Sequence, residues 1–161
     1  MFNIVLFSPE IPPNTGNIMR LCFNTGAKLH IIRPINFDLE SKKLKRASLD
    51  HFSKINIKLY DDYDDFFNNQ IKLTRIFCIT KFGKTRYDKV GFLKNDFFLF
   101  GSETLGLPPK IMNRFENKRK LYLPMKGVSR SLNLSNAVSV VIYEAWRQNH
   151  FNGEGVLLHP Q

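Results

Sequence analysis

Long hydrophobic runs are missing from this sequence: no apolar stretch approaches the ~18 residues that a membrane-crossing helix needs, so no membrane partner is expected. The opening Met1-Phe2-Asn3-Ile4 carries no basic segment, and its apolar run stops at Phe7, so it reads as a first strand rather than a signal peptide. Cysteine is scarce. The two present, Cys22 and Cys78, lie far apart in apolar surroundings, which predicts reduced core residues of a cytoplasmic protein. The histidines, His30, His51, His150 and His159, show none of the pairing that a zinc site needs, and no metal is expected. Acid is in deficit as well: 14 Asp and Glu stand against 24 Lys and Arg, a formal net charge of +10, which favours a polyanionic partner over a neutral metabolite alone.

What is present is an alternation of strands and helices. Asn3 to Phe7 is a continuous apolar run ended by Ser-Pro-Glu-Ile-Pro-Pro, as suits a strand buried on both faces. Ile18, Leu21, Cys22 and Thr25 repeat at helical spacing, and Gly26 is placed to end that helix in a left-handed conformation. Strands are predicted over Lys28 to Arg33, Ile55 to Tyr60, Arg75 to Thr80, Asp96 to Phe100 and Lys120 to Leu123. A helix with an acid-rich first turn is expected over Asp61 to Asn69, a short basic helix or turn over 39–49, and a long helix after Ser135. The pattern predicts an α/β fold with a mostly parallel sheet flanked by helices. At 161 residues the chain suits a single domain, 1–152, followed by a loosely held tail, 153–161.

Three segments concentrate polar chemistry. Pro12-Pro13-Asn14-Thr15-Gly16-Asn17 is a rigid turn entering a helix that carries Arg20; simple N-capping accounts for one asparagine but not for the second or for the double proline. Phe97 to Phe100 delivers Gly101-Ser-Glu-Thr-Leu-Gly-Leu-Pro-Pro109, where glycines allow close backbone approach and Glu103 either caps a helix or positions a polar ligand group. This is neither G-x-G-x-x-G nor a Walker loop, since Leu107-Pro108 stands where Lys-Ser/Thr is required, so a nucleoside triphosphate site is disfavoured. Gly127-Val-Ser-Arg-Ser-Leu-Asn-Leu-Ser135 crowds hydroxyls, amides and an arginine between two buried elements, and Asn133 or Ser135 suits the N-cap of the last helix. That helix is apolar around most of its circumference and is a candidate oligomer face.

In this order and spacing the segments resemble the three motifs of the SPOUT class of S-adenosylmethionine-dependent RNA methyltransferases, and within it the small single-domain TrmL (YibK-like) enzymes. The residues that carry the resemblance are Pro9-Glu-Ile-Pro-Pro-Asn-Thr-Gly-Asn-Ile-Met-Arg20, Phe100-Gly-Ser-Glu-Thr-Leu-Gly-Leu-Pro108, Leu123-Pro-Met125, and Ser129-Arg-Ser-Leu-Asn-Leu-Ser-Asn-Ala through Trp146-Arg-Gln148. The likeness covers roughly residues 2 to 151. It implies a C-terminal trefoil knot, a homodimer joined through the first and last helices, and an RNA site built from both subunits. It implies S-adenosyl-L-methionine as cofactor and S-adenosyl-L-homocysteine as product, held by Ile79, Thr80, Gly101, Glu103, Leu123, Met125, Ser131 and Leu132. The reaction implied is that of a tRNA (cytidine(34)-2'-O)-methyltransferase: 2'-O-methylation of the wobble nucleotide, cytidine or carboxymethylaminomethyluridine, of leucine tRNAs.

Arg20 and Asn133 are then the expected catalytic pair. A guanidinium is a permanent cation, so Arg20 is expected to stabilise the developing alkoxide and clamp a neighbouring phosphate, with phosphate or water accepting the proton. Lys42, Lys43, Lys45 and Arg46, with Asn14 and Arg130, are the candidates for tRNA contact; a solvated helix face is the other reading of the lysine cluster. Some relatives have proline where this chain has Ser102, or a basic residue where it has Leu105, which bears on substrate choice. Two further readings stay open: another tRNA or ribosomal RNA nucleotide as target, and a basic RNA-binding module that keeps the fold without catalysis.

Overall fold

The computed structural model describes residues 1–39, 41, 44, 55–69, 75–127 and 131–155. In chain order its elements are β1 (Asn3–Phe7), α1 (Pro12–Thr25), β2 (Lys28–Ile32), β3 (Ile57–Tyr60), α2 (Tyr63–Asn69), β4 (Ile76–Ile79), β5 (Thr85–Arg86), β6 (Phe97–Phe100), α3 (Pro109–Met112), β7 (Lys120–Tyr122) and α4 (Leu134–Gln148). The described strands form one sheet in the order β3-β2-β1-β6-β4-β7-β5, and every neighbouring pair is parallel. The fold is therefore α/β, as the alternation predicts.

The uninterrupted apolar runs of the central strands follow from burial on both faces. Successive side chains of a strand point to opposite sides, so β6 sends Phe98 and Phe100 into one core and Phe97 and Leu99 into the other. β4 divides Phe77 and Ile79 from Ile76 and Cys78 in the same way. The first core is covered by α1 and α4, through Ile18, Met19, Cys22, Val138, Val141, Ile142 and Ala145; the second is covered by Tyr63 and Phe66 of α2 and Ile111 of α3. Burial pushes both thiols, Cys22 and Cys78, up to about 12, so neither is a nucleophile at neutral pH.

Three local readings need correction. α1 begins at Pro12 rather than near Asn17, which places Arg20 in its third turn. Proline at the first two helical positions supplies the right φ and has no N–H to leave orphaned; Asn14 and Thr15, the first residues with an N–H, both donate to the Ile11 carbonyl. Strand β5 is too short to give a periodic signal and was not expected. The helix over the acidic segment starts at Tyr63, because Asp62 acts as its cap and accepts from the Asp65 amide at 2.7 Å. Most of the basic segment at 39–49 and of the tail lies outside the described residues.

One buried polar chain ties β1, β2 and β3 together. His30 lies between the Tyr60 hydroxyl (2.8 Å) and Asn3 Oδ1 (3.3 Å), while Asn3 Nδ2 donates to the Asn95 carbonyl at 3.1 Å. An amide oxygen only accepts, so His30 Nε2 carries the proton and Nδ1 accepts from Tyr60. Burial first, then Lys58 and Lys28, lower the His30 pKa to about 4. Because the unfolded histidine takes up its proton near 6.5, its contribution to stability is present above that pH and is lost as pH falls through about 4. Asp96, raised by burial, runs the other way and favours the folded state at low pH, so His30 has to be isolated by substitution. Denaturant titrations from pH 7 to 4 should show the wild type losing up to about 3 kcal/mol relative to His30→Gln.

Candidate functional site

All strands run the same way, so the carboxyl ends of β4, β6 and β7 lie together on one side of the sheet, where open α/β sheets hold ligands. A cavity of about 370 Å³ opens there. Its walls are Ile79 to Phe82 after β4, Phe100 to Leu107 after β6, Leu123 and Met125 after β7, Ser131 to Leu134 entering α4, Ala137 of α4, and Ile11 and Asn14 at the start of α1. Every residue expected to hold the cofactor lines this one space: Ile79, Thr80, Gly101, Glu103, Leu123, Met125, Ser131 and Leu132. Asn133 and Asn14 line it too, whereas Arg20 does not.

The wall after β6 is a closed turn. Ser102 pairs with Gly106, the Gly106 amide donates to the Ser102 carbonyl at 3.0 Å, and the Leu105 amide donates to Ser102 Oγ at 3.2 Å. Gly106 takes a φ of +71°, and a Cβ on Gly101 would fall 2.1 Å from the Gly106 carbonyl carbon. Both glycines are thus required by this turn: one by its left-handed backbone, the other by the close approach.

Glu103 joins the turn to α1. Its carboxylate accepts from the Glu10 amide (2.8 Å), the Ile11 amide (3.2 Å) and Asn14 Nδ2 (3.0 Å). Ile11 is the N-cap residue and has no capping side chain, so an acid distant in sequence supplies the negative charge that this helix start favours. Asn14 Oδ1 then accepts from Asn133 Nδ2 at 3.0 Å, and Asn133 Oδ1 caps α4 by accepting from the Ser135 amide (2.9 Å), the Ser135 hydroxyl (2.7 Å) and the Asn136 amide (3.4 Å). A continuous chain, Glu103–Asn14–Asn133–Ser135, therefore links the three motif segments beside the cavity.

This arrangement recasts several expectations. Asn14 is buried, at 5% exposure, with both ends of its amide engaged, so it organises the site. Asn133 has both amide ends engaged as well, although it stays exposed. Glu103 fulfils the capping alternative while lining the cavity. Arg20 is exposed on α1 and makes no hydrogen bond or ion pair among the described residues. Lys42, Lys43, Lys45, Arg46, Ser129 and Arg130 lie outside the described residues. Phe82, Leu105 and Leu107 line the cavity without being among the expected site residues; the only signal of Phe82 in the sequence is its position just beyond a strand end, whereas Leu105 and Leu107 lie within the Gly101–Pro109 motif.

The lining alternates apolar side chains with peptide groups, hydroxyls and amides at the ends of three strands. That chemistry suits a nucleoside, which has flat apolar faces and polar edges, and the volume falls within the usual range for such ligands. Among the described residues no cluster of His, Cys, Asp and Glu could hold a metal ion, and no described helix is long and apolar enough to cross a membrane. Residues 1–143 match the profile of the SpoU rRNA methylase family. The chain belongs to that family.

Its relatives include two methyltransferases that match nearly the whole chain. The tRNA (cytidine(34)-2'-O)-methyltransferase of Burkholderia cenocepacia (strain HI2424) is 48% identical over 154 residues, covering 95% of this chain and 99% of that protein. The tRNA (cytidine(34)-2'-O)-methyltransferase of Escherichia coli (strain K12) is 47% identical over 153 residues, covering 95% and 97%. A solved structure concerned with the 2-OH methylation of C/U34 on tRNA superposes with a TM-score of 0.89 at 40% identity, over 94% of this chain and 98% of that one. An AdoMet-bound rRNA methyltransferase from Sinorhizobium meliloti superposes with a TM-score of 0.82 at 25% identity, over 91% of this chain and 56% of that one.

Proposed function

We propose that this protein transfers a methyl group from S-adenosylmethionine to the ribose 2'-hydroxyl of nucleotide 34 of tRNA. The observation that carries the reading is the cavity at the ends of β4, β6 and β7, built by the three motif segments, in a chain that matches C34 2'-O-methyltransferases over nearly all of its length. Bound S-adenosylmethionine supplies an electrophilic sulfonium methyl. The residues proposed to hold it are Ile79, Thr80, Gly101, Leu123, Met125, Ser131 and Leu132, with Glu103, Asn14 and Asn133 fixing the three loops around it. The proposed substrate is a leucine tRNA with cytidine or carboxymethylaminomethyluridine at the wobble position; the C-terminal half is proposed to be threaded as a trefoil, residues 1–152 to act as one catalytic unit, and the setting to be cytoplasmic.

The proposal includes a homodimer. α1 and α4 pack on one another, and their outer surfaces expose Phe23 at 37%, Val140 at 39% and Tyr143 at 46%. Large apolar side chains gathered on two adjacent helices favour burial against a like surface. Arg20 is exposed on α1 and does not line its own chain's cavity, and in the proposed dimer it serves the cavity of the other copy. In this reading Arg20 stabilises the developing 2'-alkoxide and a neighbouring phosphate across the subunit boundary.

Incubating the protein with methyl-labelled cofactor and tRNA lacking only the 2'-O-methyl group at nucleotide 34 tests the reading: label in RNA supports it, while cofactor binding without transfer would mark a binding module. Lys42, Lys43, Lys45 and Arg46 are proposed to contact the tRNA backbone. Neutralising all four should weaken RNA binding and reduce the slope of log affinity against log salt by about 3, a change absent if they form only a solvated face.

A further inference from the structure

The mouth of the cavity is unusually apolar. Ile11, Phe82, Leu105, Met125 and Leu132 all line it and are all exposed, with Leu105 at 85% and Phe82 at 64% the most exposed large apolar side chains described. Exposure on this scale at a functional opening calls for an occupant. Neither tip is loose. The turn bearing Phe82 is held by its own amide donating to Thr80 Oγ1 (3.3 Å), by the Gly83 amide on the Thr80 carbonyl (3.0 Å), and by the Thr80 and Lys84 amides on β7 (2.9 and 3.0 Å). Gly83 lies so close to β7 that a Cβ there would fall 2.5 Å from the Leu121 carbonyl carbon. Leu105 rides on the closed Ser102–Gly106 turn.

Charge around the aromatic tip selects the occupant. Lys81 lies 5.2 Å from the centre of the Phe82 ring, and Lys84 is exposed on the same turn. An exposed ring with ammonium groups beside it is the pairing that holds unpaired nucleic acid, the ring taking a base and the cation its phosphate. A second protein copy gains little from the lysines, and a cofactor held inside the cavity does not need a ring facing out to solvent. We infer that Phe82 and Leu105 form a stacking platform for an unpaired RNA base at or next to the methylated ribose. The inference rests on the proposed tRNA reaction and adds to it the means by which the base is held: a face rather than hydrogen-bonded edges. Such a platform accepts either pyrimidine, since every base has a π-face.

The test is the affinity of a fluorescent anticodon stem-loop, measured with S-adenosylhomocysteine present, for wild type, Phe82→Ala, Phe82→Trp and Leu105→Ala. Phe82→Ala is expected to weaken RNA binding about ten-fold and Leu105→Ala about three-fold, while Phe82→Trp restores it. An abasic nucleotide at the target position or at one of its neighbours should remove the difference between wild type and Phe82→Ala. Unchanged RNA affinity in Phe82→Ala overturns the inference. So does lost cofactor affinity with RNA affinity retained, which would make Phe82 a cofactor cover, or a change in sedimentation with RNA affinity retained, which would make it a subunit contact. A wild type that binds RNA through Phe82 but transfers no methyl refutes the proposed reaction and leaves the platform standing.

Discussion

Replacing Arg20 by alanine should lower kcat for methyl transfer by about 10²- to 10³-fold, the usual consequence of removing a charge aimed at a developing oxyanion. The residue is exposed on α1 and makes no ion pair or hydrogen bond among the described residues, so its loss should leave the melting temperature nearly unchanged. Arg20→Lys keeps the charge but loses the planar fork, and turnover should fall between the two, at about a tenth of wild type. Single-turnover kinetics at saturating RNA separate this from binding. Near-full turnover in Arg20→Lys with unchanged RNA affinity would remove the bidentate clamp from the mechanism.

Gly101→Ala should be the most damaging single change to the cavity. Its Cβ would lie 2.1 Å from the Gly106 carbonyl carbon and 2.3 Å from the Leu107 amide nitrogen, and both are backbone atoms that move only if the turn opens. Crowding of this kind costs about 1–3 kcal/mol, or roughly 3–10 °C in melting temperature for a domain of this size. Because the same turn is a wall of the cavity, affinity for S-adenosylhomocysteine should fall at least about ten-fold by calorimetry. Gly91→Ala is the matched control: nothing lies within 4 Å of its added Cβ, and neither quantity should change.

The two variants together test the sharing of sites between subunits. Each is deficient alone, one lacking the arginine and the other the cavity. If Arg20 reaches the cavity of the other copy, mixed dimers contain one complete site and regain part of the wild-type rate. A mixture no more active than its components would return Arg20 to its own chain's cavity.

The parts of the fold that could be read from sequence are those whose signal is local. Phe97 to Phe100 and Ile76 to Ile79 stand out as apolar runs because each is buried on both faces, and Gly26 marks the end of α1 because it takes a φ of +68°. The double proline resisted local reasoning because the group that caps α1, Glu103, lies 92 residues from Ile11. Asn133 was half legible: its cap on α4 is a local pattern, whereas its bond to Asn14 spans 119 residues. Phe82 and Leu105 gave no periodic signal, since their importance comes from what they fail to bury. In the proposed dimer the cavity that Arg20 serves would belong to the second copy, and a single chain's pattern carries no information about that.

The proposed chemistry is one reaction at one ribose. Leucine tRNA lacking only the 2'-O-methyl group at nucleotide 34, incubated with the protein and isotopically labelled S-adenosylmethionine, then digested and mapped by mass spectrometry, reads it directly. A single labelled 2'-O-methyl group is expected at nucleotide 34, whether the base is cytidine or a uridine derivative. Label at another nucleotide or on a base, or cofactor binding with no label in RNA, would contradict it.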